Sequence, residues 1–577
     1  MSAETTQPPH RHERSAFVGL VALLLAPIIA HGLWRPLLHV LGSAGDASAI
    51  TLWSLATGAV IAIVRARRRR HDRRAGLIAL AVGCVVAVGA SVGASLGLGG
   101  ALTLLCVAGA IAPLTGWLSA RLPAALDGLA GRHRGLTALY VALALMSIVS
   151  TARLSVFMGD SARVEHQVLP SEEFLETHSC LTAYMWADAL ADQGVENLYE
   201  ARWWSGAHGF PPAPPGSEDP YRPFLLDYYA YPPPFLLVTA PLSPFEGSFP
   251  AQRSLWFGLN GLFLAAGLWI VARWVGGPGA HRVLLMAPLF FGSLPVLVTL
   301  QIGNFQIAVV VMSVLAMVAF DRERSALGGG VLAFAILSKI SPGLFGVVLL
   351  SQRRWRSAAW TAGFGALLVA LSVLVDGLDP MVSFLTYTLS RLSSGEVFSF
   401  MDDTALNVIT NMSPFGLPFK LRLLGLEVGD PWVLGRIISR IYTVLLVILA
   451  IVALRRRGDR RAQAMTWMSL VVLSALQSPF APGYTLIGLQ WALTLLSVEV
   501  RSFRGAVALG VLWLLIVVVA PLGVTAQLVQ SVFQSALALG VPVWLVFRAF
   551  RSGASPAQGE PMSRGVEGAG SDGDLDA

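Results

Sequence analysis

Apolar stretches near or above the roughly 18 residues that a spanning helix needs recur along this chain from Phe17 to Phe547, separated by short basic or Gly/Pro-rich breaks. Runs of this kind leave little choice, because backbone in hydrocarbon must satisfy its own hydrogen bonds and a helix does so within one segment. Composition agrees. Over 577 residues the chain is 55% hydrophobic and only 13% charged, with mean hydropathy +0.65, far outside the range of a soluble domain. The expected fold is an all-α polytopic integral membrane protein with about 14–16 transmembrane helices and two long extracytoplasmic loops. The first stretch, AFVGLVALLLAPIIAHGLW, is longer than a signal h-region and lacks a small-residue cleavage site, so it is read as retained.

A net charge of +7 and a pI near 9.6 could suggest nucleic acid, yet the basic residues sit in short runs at helix ends. That is the positive-inside pattern, and no nucleic-acid partner is expected. RARRRRHDRR at 65–74 is the strongest cytoplasmic anchor, which puts both termini inside. Spans are expected over 15–41, 48–64, 76–97, 100–119 and 135–157, so that 159–231 forms the first outer loop. Spans over 252–273, 282–300 and 304–320 return to DRER at 321–324. ALGGGVLAFAILSKISPGLFGVVLL has basic residues on both flanks and is expected to turn back at Lys339, Ser341 and Pro342. A span over 357–375 leads to the second outer loop, 376–434, and five more follow over 435–454, 463–479, 482–498, 505–523 and 526–548. Residues 1–134 therefore read as additional N-terminal helices, 135–550 as a core and 551–577 as a disordered cytoplasmic tail. The Pro-broken YPPPF segment is too short to span and is read as re-entrant.

The first outer loop opens on MGDSARVEHQVLPSEEFLETHSC, which gathers Asp160, Glu165, Glu172, Glu173 and Glu176. The following CLTAYMWADALADQGVENLYE has the spacing of an amphipathic helix lying at the membrane surface. Cys84, Cys106 and Cys180 have no spacing suited to zinc or to a disulfide, and HRHER near the start suits no tetrahedral ligand set. Outside the C-terminal tail no Asp-x-Asp pair is present, MDD at 401–403 being the nearest approach, so metal independence is expected.

Gly194, Leu198-Tyr199, YAYPPPFLLVTAPLSPF, QIGNFQ and LSKISPGLFGVVLLSQRRWR, in that order, resemble glycosyltransferase family 87. These are membrane enzymes of the GT-C superfamily, typified by polyprenyl-phosphate-mannose-dependent α-mannosyltransferases, and the likeness covers 136–550. The resemblance implies a GT-C-like bundle in a bacterial plasma membrane. It implies a polyprenyl-phosphate-linked hexose donor, commonly mannose, and no cofactor besides. The partners are membrane lipids and a glycolipid or glycan acceptor. It also implies an inverting transfer with one carboxylate base in the first outer loop. One base is enough in principle, because a phosphate leaves as an anion without an acid's help.

Asp160, just beyond the fifth span, stands where superfamily members keep that acid, and Asp160→Asn is expected to abolish transfer. Glu176 competes, since the family's acid often precedes a Tyr by a helical turn; Glu173, Glu172 and His178 stay open. His178, Tyr184 and Tyr199 are further substrate-binding candidates of this loop. TNMSPFG resembles the family's Asn-x-Ser-x-x-Gly segment and carries over Asn411, Ser413 and Gly416. Arg391, Lys420 and Arg422, with Arg436 and Arg440 at the next span, are candidates for the donor phosphate. Gln301 and Asn304 resemble the family's Gly-Gln-x-Asn and could bond sugar hydroxyls, or equally cap a helix or join two helices. Lys339 is a cation in an apolar segment, which costs about 2.5 kcal/mol or more, so it is either functional or paired with a buried partner. A lipid-linked glycan polymerase or ligase is the near alternative and a transporter or flippase the distant one; the absence of a second broken segment to match that of Lys339 speaks against the latter.

Overall fold

The computed structural model describes residues 12–39, 46–67, 73–93, 96–123, 126, 134–170, 172–207, 221–455, 460–500, 502–518 and 523–552. Residues 68–72 of the basic run, the Pro-rich stretch at 208–220 and the tail beyond Ser552 lie outside them. The described residues are helical without a single strand, apart from two isolated bridges. Among the described residues, eight helices are long and apolar enough to cross a membrane, or nine if one bent pair counts as a span, and five shorter apolar helices accompany them.

The first five helices follow the expected alternation: α1 (His12–Ile29), α2 (Ala47–Arg67), α3 (Arg73–Gly93), α4 (Gly97–Arg121) and α5 (Arg134–Gly159). A π turn, Ala30–Trp34, extends α1 to Arg35, whose guanidinium donates to the Gly159 carbonyl at the end of α5. Asp46, ahead of α2, pairs with Arg163 beyond α5 at 3.2 Å. At the opposite ends, Arg65 of α2 reaches the Ala112 carbonyl of α4 at 3.3 Å. This group of helices joins the rest of the chain backbone to backbone. A Cβ on Gly258 would stand 2.5 Å from the Cα of Gly32, so only glycine lets the two segments meet so closely.

The rest is built around interrupted helices. α6 (Cys180–Asp192) lies in the first loop and α7 (Phe249–Val275) is an unbroken span. α8 (Ala280–Phe291) and α9 (Leu294–Ile302) meet at a 58° bend. α10 (Gln306–Asp321) and α11 (Ser325–Ser338) follow, then α12 (Leu344–Ser351) and α13 (Trp355–Asp376). Ser357 donates to Ser325 at 3.1 Å, and Gly329 and Gly330 lie against Thr361 and Phe364. The residue numbers rise together on both sides of this contact, so α11 and α13 run parallel. The chain between them must come back, and α12 is the returning leg: the expected turn at 339–343 is there. α15 (Pro431–Arg455), α16 (Arg460–Ala475), α17 (Ile487–Glu499), α18 (Phe503–Val517) and α19 (Val524–Ser552) complete the bundle, with α14 (Leu417–Leu423) in the second loop.

The sequence reaches its larger count by taking shorter apolar helices, several of them beside a break, as spans. The breaks fall where polar residues or prolines interrupt apolar ones: Gly303-Asn304 between α9 and α10, Lys339 to Gly343 between α11 and α12, and 476–486 with Pro479 and Pro482 between α16 and α17. YPPPF does not span either; it forms two 3-10 segments, Pro233–Val238 and Ala240–Phe245. The two long loops pack on one side, where Ser383 donates to the Glu196 carbonyl at 3.2 Å and the rings of Tyr199 and Phe384 lie 5.7 Å apart. α6 departs from its expected place at the membrane surface. Leu181, Tyr184, Ala187 and Leu190 are buried, and Asp192 alone on this helix is exposed, because the loop's aromatic residues fold over it.

Candidate active site

The three helix breaks converge on one cavity of about 1460 Å³. Gly303 ends α9 in the left-handed conformation, φ +72°, which an L side chain adopts only at a cost. Trp256 donates to its carbonyl at 2.7 Å and holds the turn. Asn304 is thereby presented to the cavity. Its amide nitrogen lies 3.3 Å from the Cys180 sulfur, 3.2 Å from the Tyr484 hydroxyl and 3.4 Å from that of Tyr231. Its oxygen accepts from Lys339 Nζ at 3.1 Å, and Gln306 Oε1 accepts from the same ammonium at 2.9 Å. Lys339 lies between the rings of Tyr231 and Tyr484, 5.8 and 5.7 Å from their centres. Those neutral acceptors and ring faces answer the cost of placing a cation in an apolar segment. Two of its three protons are so engaged, and the residue still lines the cavity.

The same cavity is lined by a carboxylate that the sequence reading did not single out. Asp227 follows a short pairing in which Leu225 N–H donates to the Thr177 carbonyl at 2.9 Å, and Thr182 Oγ1 accepts from its backbone N–H at 2.9 Å. Its Oδ1 accepts from Tyr228 N–H at 2.9 Å, and its Oδ2 lies 3.8 Å from His178 Nε2. Burial pushes the His178 imidazole down to about 3, so the ring is neutral and this contact is no ion pair. Burial likewise pushes the Cys180 thiol well up. Asp227, 21% exposed, Glu172, His178, Cys180, Asn304 and Lys339 all line the cavity. The cavity continues to Arg436 and Arg440 on α15 and to Gln527, Gln530 and Gln534 on α19.

Other sequence candidates are held elsewhere. Asp160 is not on the cavity wall. It lies 3.8 Å from Arg163 and near Arg35, in a partly exposed charge cluster that ties the first helices to the end of α5. Glu176 and Glu173 are outside the lining, whereas Glu172 belongs to it. Tyr184 is buried behind it, bonded to the Tyr231 hydroxyl at 3.0 Å, and Tyr199 donates to the Tyr231 carbonyl at 2.9 Å. Gln301 is a brace, donating to the Leu175 carbonyl at 2.8 Å and accepting from Val168 N–H at 2.7 Å. Asn411 braces the α16–α17 break: it donates to the Pro479 carbonyl at 3.0 Å, and its oxygen accepts from the N–H groups of Ser413 and Ala481, each at 3.0 Å. Ser413 caps the next turn through Phe415 N–H at 3.2 Å. Lys420 is buried and donates to Ser531 and Ser535 of α19 at 2.6 and 2.9 Å. Arg391 pairs with Glu396 at 2.9 Å and Arg422 with Asp402 at 3.2 Å, both outside the cavity.

Residues 229–479 match the model of glycosyltransferase family 87. This stretch belongs to that family. It holds the α9–α10 and α11–α12 breaks, Asn304, Lys339, Arg436 and Arg440, and it opens just after Asp227. The resemblance read from YAYPPPF, QIGNFQ, LSKISPG and TNMSPFG falls within it, and the match indicates a membrane glycosyltransferase. No curated protein matches the chain closely.

A buried signal could have exposed Asp227. Between Tyr221 and Phe245 it is the sole acid, set among aromatic and proline residues where a solvated charge has no reason to be. The sequence reading weighed the denser cluster upstream instead.

Proposed function

We propose that this family 87 glycosyltransferase moves a hexose, with mannose the first choice, from a polyprenyl-phosphate donor to a hydroxyl of a glycolipid or glycan acceptor at the outer face, with inversion. Asp227 is the general base. The observation that carries this reading is that one cavity is lined by the carboxylate of Asp227, by the ammonium of Lys339 and by Arg436 and Arg440 of α15. The acceptor hydroxyl gives its proton to Asp227 as its oxygen attacks the anomeric carbon, and the bond to the phosphate breaks on the opposite face. The departing phosphate carries its electron pair as an anion, which a nearby cation stabilises as the charge develops. Lys339 is assigned that role, with Arg436 and Arg440 receiving the donor's phosphate on its way from the bilayer.

The volume supports two substrates, since about 1460 Å³ exceeds the range of roughly 300–1,000 Å³ typical for one small ligand. The face of α15 outside the cavity is apolar and exposed at Ile437, Ile441 and Leu445, as a helix beside a lipid chain should be. The test is transfer by the purified protein in liposomes, offered polyprenyl-phosphate hexoses and nucleotide sugars in parallel with a panel of glycolipid acceptors. A gain of one hexose in mass from the lipid-linked donor alone supports the reading. Transfer from the nucleotide sugar alone overturns it.

A further inference from the structure

Three side chains at the cavity wall form a set that the transfer reaction as proposed does not need in full. His178 Nε2, Cys180 Sγ and an Asp227 carboxylate oxygen all lie within 4.8 Å of one another, the one His/Cys/Asp/Glu group so arranged among the described residues. His178 Nε2 is 3.5 Å from the sulfur and 3.8 Å from Asp227 Oδ2. With zinc–sulfur near 2.3 Å and zinc–nitrogen or zinc–oxygen near 2.0–2.1 Å, tetrahedral ligation sets the corresponding edges at about 3.6 and about 3.4 Å. The first edge is already met, the second needs a shift of a few tenths of an ångström, and the third, from Cys180 Sγ to Asp227, lies within 4.8 Å and closes to about 3.6 Å on ligation.

The set is also held in place by its surroundings. His178 is bridged to Leu225, two residues before Asp227, and Thr182, two residues after Cys180, donates to the Leu225 carbonyl at 3.2 Å while accepting from Asp227 N–H. Neutral imidazole, thiolate and carboxylate are the protonation states that ligation needs, so metal binding releases the thiol proton of Cys180. Thiolate and carboxylate together balance a divalent charge, so the nearby Lys339 does not face an uncompensated cation.

We propose that His178, Cys180 and Asp227 form a binding site for a soft divalent cation, zinc above all, and that its occupation stops sugar transfer. The second half rests on Asp227 being the base. Zinc displaces the thiol proton to solvent and takes the carboxylate lone pair that would otherwise receive the acceptor's proton. Three protein ligands leave a fourth position open toward the cavity, where water completes the shell. Magnesium, which prefers oxygen ligands, has little claim on such a set.

The test uses the full chain in lipid nanodiscs, first stripped with chelator and then titrated with cobalt(II) alone and with cobalt displaced by zinc. One cobalt per chain with a thiolate-to-cobalt charge-transfer band and tetrahedral visible bands is expected. The bands should be lost in C180S, H178Q and D227N and displaced by zinc but not by magnesium. Three variants are used because Cys84 and Cys106 are also free thiols. Absence of the bands in the wild type, or their persistence in all three variants, overturns the site while leaving the transfer reading untouched. In the activity arm, zinc at stoichiometric occupancy should lower wild-type transfer at least tenfold and chelator should restore it. Transfer that rises with bound zinc would overturn both the inhibition and the metal-free role of Asp227.

Discussion

Asp227→Asn isolates the chemistry from the fold. Asparagine keeps an oxygen where Oδ1 accepts from Tyr228 N–H at 2.9 Å, and the backbone bond to Thr182 does not involve the side chain. The contact to the neutral His178 ring is no ion pair. The stability change should therefore stay within about 1 kcal/mol, the scale of one neutral hydrogen bond. Basicity is what the variant loses. A positioned general base contributes about 10²–10⁴ in rate, and at about 1.4 kcal/mol per tenfold that is about 3–5 kcal/mol of transition-state stabilisation. The assay is single-turnover transfer in liposomes from a polyprenyl-phosphate hexose, with unfolding temperature followed alongside. Transfer should fall by at least about a hundredfold with the unfolding temperature nearly unchanged. Asp160→Asn is the companion variant. Its partner Arg163 is about half exposed, 44% against 37% for Asp160, and such pairs contribute about 0–1 kcal/mol, so its transfer should remain within a few-fold of wild type. A dead Asp160→Asn beside an active Asp227→Asn would refute the assignment and return the base to the end of α5.

Lys339→Met should leave Asn304 Oδ1 and Gln306 Oε1 without their shared donor, costing about 1–3 kcal/mol in stability. Transfer should fall further than the loss of folded protein accounts for, which parallel thermal unfolding and rate measurements separate. Asn411→Ala should lower stability by about 2 kcal/mol or more, because it strands the Pro479 carbonyl and the N–H groups of Ser413 and Ala481, yet the fraction that folds should bind donor normally. Asp188, on α6, is pushed up to about 6, first by burial and then by Asp192, Asp376 and Glu246 nearby, against a hydrogen bond to Thr239. Between about pH 4 and pH 6 the folded state then holds more proton than the unfolded one, so stability contributed here is full at low pH and is lost as pH rises through that window. Asp188→Asn should flatten this part of the unfolding-temperature profile and raise stability at pH 7; an unchanged profile would count against the burial of that carboxylate.

Much of the fold was legible because apolar length reports directly on spans. α1, α2, α4 and α5 fall on the first, second, fourth and fifth expected spans. The turn at Lys339 was legible too, since basic residues on both flanks of an apolar segment demand an even number of crossings. Less legible was where the interruptions meet. Asn304, Lys339 and Tyr484 are far apart in sequence, and each alone reads as a cap, a buried cation or an aromatic residue. Their common destination depends on helix packing, which a one-dimensional pattern does not carry. Asn411 and Gln301 illustrate the reverse difficulty. Both match motif positions suggestive of substrate contact, yet both spend their hydrogen-bonding groups on backbone at helix breaks. Asp227 escaped because prolines and aromatic residues around it have no periodicity to mark a functional face.

The meeting of separate breaks has a consequence for how the enzyme is made. The cavity draws its wall from residues near His178, Asp227, Asn304, Lys339 and Arg440, and closes only with Tyr484 and the glutamines of α19. A chain emerging from the ribosome thus carries Asp227 through the insertion machinery long before there is anything for it to work on. The nascent protein is born inert, and competence arrives late and all at once, when the last helices dock.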